Sequence, residues 1–162
     1  MTRAPVVGVM GGGKAAPAVT QLAEALGAAV ARRGWWLLTG GRDAGVMAAA
    51  TRGAKHEGGR VVGVLPGRRG DGGEAPGLDL AIYTGMGDAR NVVNVLSSDV
   101  VLALPGGAGT LSEVALAVKS GIPVALVVPD GAPAWAAELG VPCLPDVAGA
   151  VAWVDERLQA KS

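Results

Sequence analysis

Two short stretches hold the side chains that could do chemistry. One is Asp88-Ala89-Arg90-Asn91, with Asn94 one helical turn beyond Arg90; the other is Pro105-Gly106-Gly107-Ala108-Gly109-Thr110-Leu111-Ser112-Glu113. The apolar run before the second, residues 100–104, reads as a buried strand passing through a glycine turn into a helix. Gly106, Gly107 and Gly109 remove the β-carbons that would block close approach. A helix start also offers N–H groups without intrahelical partners, so the turn suits an anion, and phosphate is the commonest one. Arg90, at the start of another helix, opposes the helix macrodipole and calls for an anionic neighbour. Either Glu113 or a ligand phosphate would serve. Glu113 itself has two readings. With Thr110 it fits a capping box, each side chain satisfying the other's backbone N–H; alternatively its carboxylate faces a ligand, where sites in open parallel sheets lie.

The elements that must position these groups follow from periodicity. Apolar runs at residues 6–10, 35–38, 61–65, 80–83, 100–104 and 124–128 predict strands, alternating with helices over 17–33, 44–57, 87–97, 110–120 and 148–159. That alternation predicts an α/β fold, a Rossmann-like doubly wound parallel sheet with helices on both faces. Residues 66–77 are too rich in Gly and Pro for a regular element and read as a mobile loop, a solvated connector or a lid.

Nearly every strand exit carries glycine: Gly11-Gly12-Gly13, Thr39-Gly40-Gly41, Pro66-Gly67, Thr84-Gly85, Gly106-Gly107 and Pro129-Asp130-Gly131. All fall on one edge of the sheet, so several backbones would crowd one ligand there. Short connections also need turn residues, which is the plainer alternative. Gly11 to Ala16 fits the G-x-G-x-x-A spacing, but the second strand ends in Thr39-Gly40-Gly41 without the acidic residue of a nicotinamide site. Lys14 is followed by Ala15, so this is not a P-loop, and Lys14 reads as an exposed loop lysine. The expected binding set is Gly11, Gly12, Gly13, Gly40, Gly41, Arg90, Asn91, Gly106, Gly107, Gly109 and Thr110, with Arg90 and Glu113 as the catalytic pair if there is turnover.

Composition narrows the classes. The 162 residues predict a single nucleotide-binding domain over 1–162. One cysteine, Cys143, and one histidine, His56, leave no disulfide and no Cys/His metal site within one chain. His56 reads as solvated; Cys143 and the four tryptophans read as core or interface residues. Fourteen basic against 14 acidic side chains give no net charge, so no nucleic acid is expected as partner. No apolar run reaches the roughly 18 to 20 residues of a membrane span. The start at Met1-Thr2-Arg3 lacks a signal-peptide pattern, and a cytoplasmic protein is expected. Hydrophobic residues make up 50% of the chain with 3% aromatic and no Phe, which predicts a Val, Leu and Ala core with apolar surface left for a second subunit.

Taken together, the Gly-Gly-x-Gly-Thr-x-x-Glu element, the segment from Gly40-Gly41 to Gly45-Val46-Met47 and the arginine-bearing helix resemble the LOG-like family. The resemblance spans residues 6–128. That family includes cytokinin-activating phosphoribohydrolases and molybdenum cofactor carrier proteins. Thr84-Gly85-Met86-Gly87-Asp88-Ala89-Arg90-Asn91 and Gly109-Thr110-Leu111-Ser112-Glu113-Val114-Ala115 look closest to the carrier branch. For the hydrolases the resemblance implies a catalytic arginine, a lysine directly after it and the motif glutamate. Arg90 and Glu113 match; Asn91 stands where lysine is expected, which points away from hydrolysis. For the carriers it implies a subunit that forms a homodimer or homotetramer and protects a phosphate-bearing pterin. The first expectation is therefore a binder of a phosphorylated small molecule, with the molybdenum cofactor as carried ligand. The second is hydrolysis of the N-glycosidic bond of AMP or N6-modified AMP to free base and ribose 5-phosphate. A third, single-strand DNA binding of the kind a related core serves in the DNA-processing protein DprA, is opposed by neutral charge and scarce aromatics.

Overall fold

A computed structural model describes residues 3–160; the reading of Met1 and Thr2 lies outside them. Seven strands, β1 (Val6–Met10), β2 (Trp36–Thr39), β3 (Arg60–Leu65), β4 (Leu80–Tyr83), β5 (Val100–Ala103), β6 (Val124–Val127) and β7 (Cys143–Leu144), alternate with helices. The helices are α1 (Pro17–Arg32), α2 (Gly45–His56), α3 (Arg90–Leu96), α4 (Ala108–Ser120), α5 (Ala134–Glu138) and α6 (Val147–Gln159), and a 3-10 turn over Gly87–Ala89 leads into α3. All six expected strands are present. Sequence periodicity did not find β7 or α5: a two-residue strand and a five-residue helix are too short to show a period. β7 exists because Cys143 and Leu144 pair with Leu126 and Val127 at the sheet edge.

Every pairing is parallel and the strand order is β4-β3-β2-β1-β5-β6-β7. The chain starts in the middle, winds out to β4, then returns to β5 on the other side of β1. The point where strand order reverses thus lies between the ends of β1 and β5, where an open α/β sheet has its crevice. One face of the sheet packs α1, α2 and α6 through Leu26, Val30, Val46, Ala50, Ala150 and Val154. The other packs α3, α4 and α5 through Val95, Val114, Ala117 and Ala136. This is the doubly wound Rossmann-like arrangement, and its core is built of small and branched aliphatic side chains.

Helices α1 and α2 approach unusually closely, and two glycines allow it. A β-carbon on Gly27 would run into the carbonyl oxygen of Ala50, and one on Gly53 into that of Glu24. Their crossing sets the height of α2 over the sheet. As a result Val46 N–H, in the first turn of α2, reaches Gly12 O at 3.0 Å.

The loop over residues 66–77, expected to be mobile, is held at its C-terminal half. Asp43 N–H donates to Gly73 O and Ala75 N–H to Gly41 O, each at 2.8 Å, with an antiparallel bridge between Arg42 and Glu74. The exit of β2 is what pins it, a contact between distant segments that composition could not reveal. Trp35 is buried while Trp36, Trp135, Trp153 and Cys143 are half-buried, so only Trp35 belongs to the core proper. Arg33, Arg60 and Arg157 lie over the rings of Trp35, Trp36 and Trp153 at 5.3 to 5.4 Å. His56 and Lys14 are exposed.

Candidate functional site

At the reversal point the ends of four elements meet. Gly106 has no room for a side chain, because a β-carbon would strike Thr110 Oγ1 and sit 2.9 Å from the backbone nitrogen of Gly12. The exits of β1 and β5 are therefore in backbone contact. Gly45 adopts φ +48° under the carbonyl of Gly12, bringing the start of α2 to the same spot. A β-carbon on Gly40 would lie 2.7 Å from Met47 Sδ and 3.0 Å from Arg90 Nη2, so the end of β2 makes way for the arginine of α3.

The hollow so formed holds about 60 Å³ and is lined by Gly11, Gly40, Met47, Arg90, Asn91, Gly109, Thr110 and Glu113. Of the expected binding residues, Gly106 and Gly107 line instead a neighbouring cavity of about 470 Å³, which shares Thr110 with the hollow. Gly12, Gly13 and Gly41 line neither. Gly12 and Gly41 serve packing: Gly41, at φ +74°, lies against Gly63.

Polar contacts beside the hollow join α3 to α4. Arg90 Nη1 donates to Asn91 Oδ1 at 2.7 Å, and Asn91 Nδ2 donates to Ser112 Oγ at 3.0 Å. Ser112 in turn donates to Gly109 O at 2.6 Å, so the asparagine ties the arginine to the glycine turn. Asn94 Nδ2 donates to Glu113 Oε1 at 2.8 Å, with Asn94 wholly buried. This corrects the capping-box reading. The N-cap of α4 is Gly107, no side chain caps it, and the Glu113 carboxylate turns inward to α3. Thr110 lies inside the first turn, and Oγ1 is drawn toward Gly106. Asn94 and Ser112 are the members that sequence reasoning did not assign; the spacing of Asn94 one turn after Arg90 was the only available signal.

The electrostatics are those of a site short of counter-charge. Arg90 is 9% exposed, forms no ion pair among the described residues, and its buried Nε has no hydrogen-bond partner. Burial holds its pKa below the usual value, with nearby Glu113 and Asp88 working the other way and the charge of Arg42 lowering it further; a guanidinium nonetheless stays charged. Burial pushes the Glu113 carboxyl above its usual range, offset in part by the Asn94 hydrogen bond and by Arg90. The first backbone bond at the start of α4 runs from Leu111 N–H to Gly107 O, leaving the N–H groups of Ala108, Gly109 and Thr110 without backbone acceptors among the described residues. A buried unpaired cation beside free amide donors can receive an anion. Among the described residues no group of three or more His, Cys, Asp or Glu is placed to hold a metal ion, and no helix is long and apolar enough to cross a membrane.

The raised Glu113 pKa has a thermodynamic consequence. Folded protein holds this proton to higher pH than unfolded chain, whose glutamate titrates near ~4.3. Between those two values the folded state binds more protons, so stability falls as pH rises through the window and is level above it. The stability difference between wild type and Glu113→Gln, from denaturant melts at successive pH values, is expected to shift against wild type over that interval. A difference that stays constant from pH ~4 to ~8 would contradict a folded-state pKa above that of the unfolded chain.

The parallel seven-stranded sheet and the glycine exits at its reversal point define a Rossmann-like protein of the LOG-like kind. The chain belongs to the SLOG cluster4 family, whose sequence model matches residues 4–140, and among LOG-like proteins it lies near the molybdenum cofactor carriers. It is 40% identical to the molybdenum cofactor binding protein of the phototrophic bacterium Rippkaea orientalis, with a TM-score of 0.90 covering 98% of this chain and 99% of that one. Against the molybdenum cofactor carrier protein of Chlamydomonas reinhardtii the identity is 43% and the TM-score 0.88, covering 97% and 99% of the two chains. A cytokinin riboside 5'-monophosphate phosphoribohydrolase of Mycobacterium marinum is 34% identical over 99 residues, 60% of this chain and 52% of that protein. Likeness to the DNA processing protein A of Helicobacter pylori, at 17% identity and a TM-score of 0.71, concerns the fold alone.

Proposed function

We propose that this chain binds a phosphorylated, nucleotide-like small molecule at the carboxyl ends of its strands, and that the ligand it carries is the molybdenum cofactor. The observation that carries this reading is the glycine turn itself. Gly107 and Gly109 have no neighbour within 4 Å of where a β-carbon would stand, and neither adopts positive φ. Nothing in the protein's own packing asks for glycine there, and an approaching ligand would. The residues present fit a phosphate: Ala108, Gly109 and Thr110 would donate backbone N–H bonds, and the Arg90 guanidinium would add charge-assisted ones. Asn91 spends its oxygen on Arg90 and its nitrogen on Ser112, so it positions the cation and has no proton-transfer role of its own. The relatives named for binding and carrying the cofactor span nearly the whole chain, which supports the same reading.

The second reading, a phosphoribohydrolase, draws on Glu113. A buried carboxyl with a raised pKa beside a cation is suited to give a proton to a departing base. One experiment separates the two. Purified protein is mixed anaerobically with molybdenum cofactor and passed over a sizing column, and a parallel sample is incubated with AMP and N6-substituted AMP. Cofactor is expected to co-elute with the protein and no free base is expected. Failure to retain the cofactor removes the carrier reading; free base that vanishes in Glu113→Gln replaces it with the hydrolase. The same column reports particle size. A homodimer or homotetramer fits the exposed Val92 and Leu96 of α3 and Leu111 and Val118 of α4, which a second copy would cover. A cytoplasmic site of action and the lack of a nucleic-acid partner remain part of this proposal.

A further inference from the structure

We propose that the cavity of about 470 Å³ at the exits of β5 and β6 receives the ring system of the ligand, and that Asp130 selects rings with a 2-amino-4-oxo edge, the edge shared by pterins and guanine. This rests on the phosphate reading above. The hollow beside Arg90, at about 60 Å³, has room for a few waters or one phosphate group and none for a fused ring. The ring must lie elsewhere, and two larger spaces border the strand exits. One, of about 210 Å³, is lined by Arg42, Arg68, Asp71 and Glu74 and shares no residue with the hollow. The 470 Å³ cavity shares Thr110 with the hollow and is walled by Gly106 and Gly107, so a phosphate on the start of α4 stands at its mouth.

Its chemistry suits a flat heterocycle. Buried Leu104, Val114 and Leu126 make an apolar floor, and half-buried Trp135 supplies an aromatic face from α5. Such a volume is in the usual range for small-molecule pockets, which combine apolar walls with few polar groups. Asp130 is the one carboxylate in the lining. It is exposed and has no hydrogen-bond or ion-pair partner among the described residues. A carboxylate only accepts hydrogen bonds, and it pairs best with two donors side by side. A ring N–H next to an exocyclic amino group, as in guanine and pterins, offers that pair. Adenine offers one amino group beside a ring nitrogen whose lone pair would face the carboxylate.

The test titrates the full chain with ribose 5-phosphate, AMP and GMP, following heat and tryptophan fluorescence. GMP is expected to bind at least about tenfold tighter than AMP, within the range a bidentate pair confers, and to change a fluorescence signal that Trp135→Leu removes. Ribose 5-phosphate is expected to bind without that change. Asp130→Asn should bring GMP to the affinity of AMP and leave ribose 5-phosphate as before; its position is exposed, so it carries the test even if Trp135→Leu fails to fold. Equal affinities for GMP and AMP in the wild type, or a preference that survives Asp130→Asn, overturn the inference while the phosphate reading stands. Absence of any ribose 5-phosphate binding overturns both.

Discussion

Arg90→Ala is expected to weaken binding of ribose 5-phosphate by about 10- to 150-fold, measured by calorimetric titration. The figure is the ~1.5 to 3 kcal/mol of a hydrogen bond to a charged group, converted at ~1.4 kcal/mol per tenfold. The loss should fall mainly on affinity, because the guanidinium forms no ion pair among the described residues, its buried Nε bonds to nothing, and its Nη1 bond goes to the neighbouring Asn91, whose own bond to Ser112 remains. A second readout distinguishes loss of the cation from loss of bulk. Arg90 holds the Glu113 pKa down, so removing it should raise that pKa further and extend the window of pH-dependent stability to higher pH. Arg90→Lys keeps a charge and should hold the window near its wild-type place while restoring affinity only in part, since an ammonium lacks the guanidinium's planar fork. Unchanged affinity in Arg90→Ala would remove Arg90 from the binding site.

Gly53→Val is expected to destabilise the protein by about 3 kcal/mol, at the top of the usual range for overpacking, and to lower Tm by roughly 6 to 12 °C at ~2 to 4 °C per kcal/mol. The clash is with backbone, which cannot swing aside: a β-carbon on Gly53 meets the Glu24 carbonyl and lies 2.7 Å from its carbon. Helices α1 and α2 would have to separate. Valine recovers little helix propensity in exchange, whereas Gly53→Ala would recover up to ~1 kcal/mol and is the milder variant. Gly107→Ala is the contrast. With nothing within 4 Å and an extended backbone at φ -90°, it should leave Tm within the ~0.5 kcal/mol scatter of surface changes. Equal melting points for Gly53→Val and wild type would mean that the close helix crossing does not form.

The link from helix crossing to site is direct. Val46 N–H in α2 bonds to Gly12 O, and Val46 also fills the space that a side chain on Gly11 would need. Separating the helices therefore disturbs the wall of the hollow as well as the core. Binding of ribose 5-phosphate by whatever Gly53→Val protein remains folded should weaken along with Tm, and by less than in Arg90→Ala, because every proposed phosphate donor is still present.

Much of the architecture was legible in residue order. Six strands, the helices between them and the glycine at each exit show in runs of neighbouring residues, since burial on both faces demands continuous apolar strands and a sharp exit demands turn residues. The LOG-like resemblance rested on the same local stretches, around Gly40, Arg90 and Gly106 to Glu113. What local reading could not reach is who faces whom. Thr110 to Glu113 has the spacing of a capping box, yet Glu113 bonds to Asn94, 19 residues away, and Asn91 bonds to Ser112, 21 residues away. Both contacts exist because α3 crosses back over the sheet from the edge strand β4 to the central strand β5 and so packs beside α4. Local hydrogen-bond geometry and hydrophobic period are near-neighbour properties, so the chain's order alone determined the elements and the glycine bends. The burial of Arg90, the inward turn of Glu113 and the division between a small charged hollow and a larger apolar cavity were decided by the packing of segments far apart in the chain, because desolvation and counter-charge depend on everything that closes around a group.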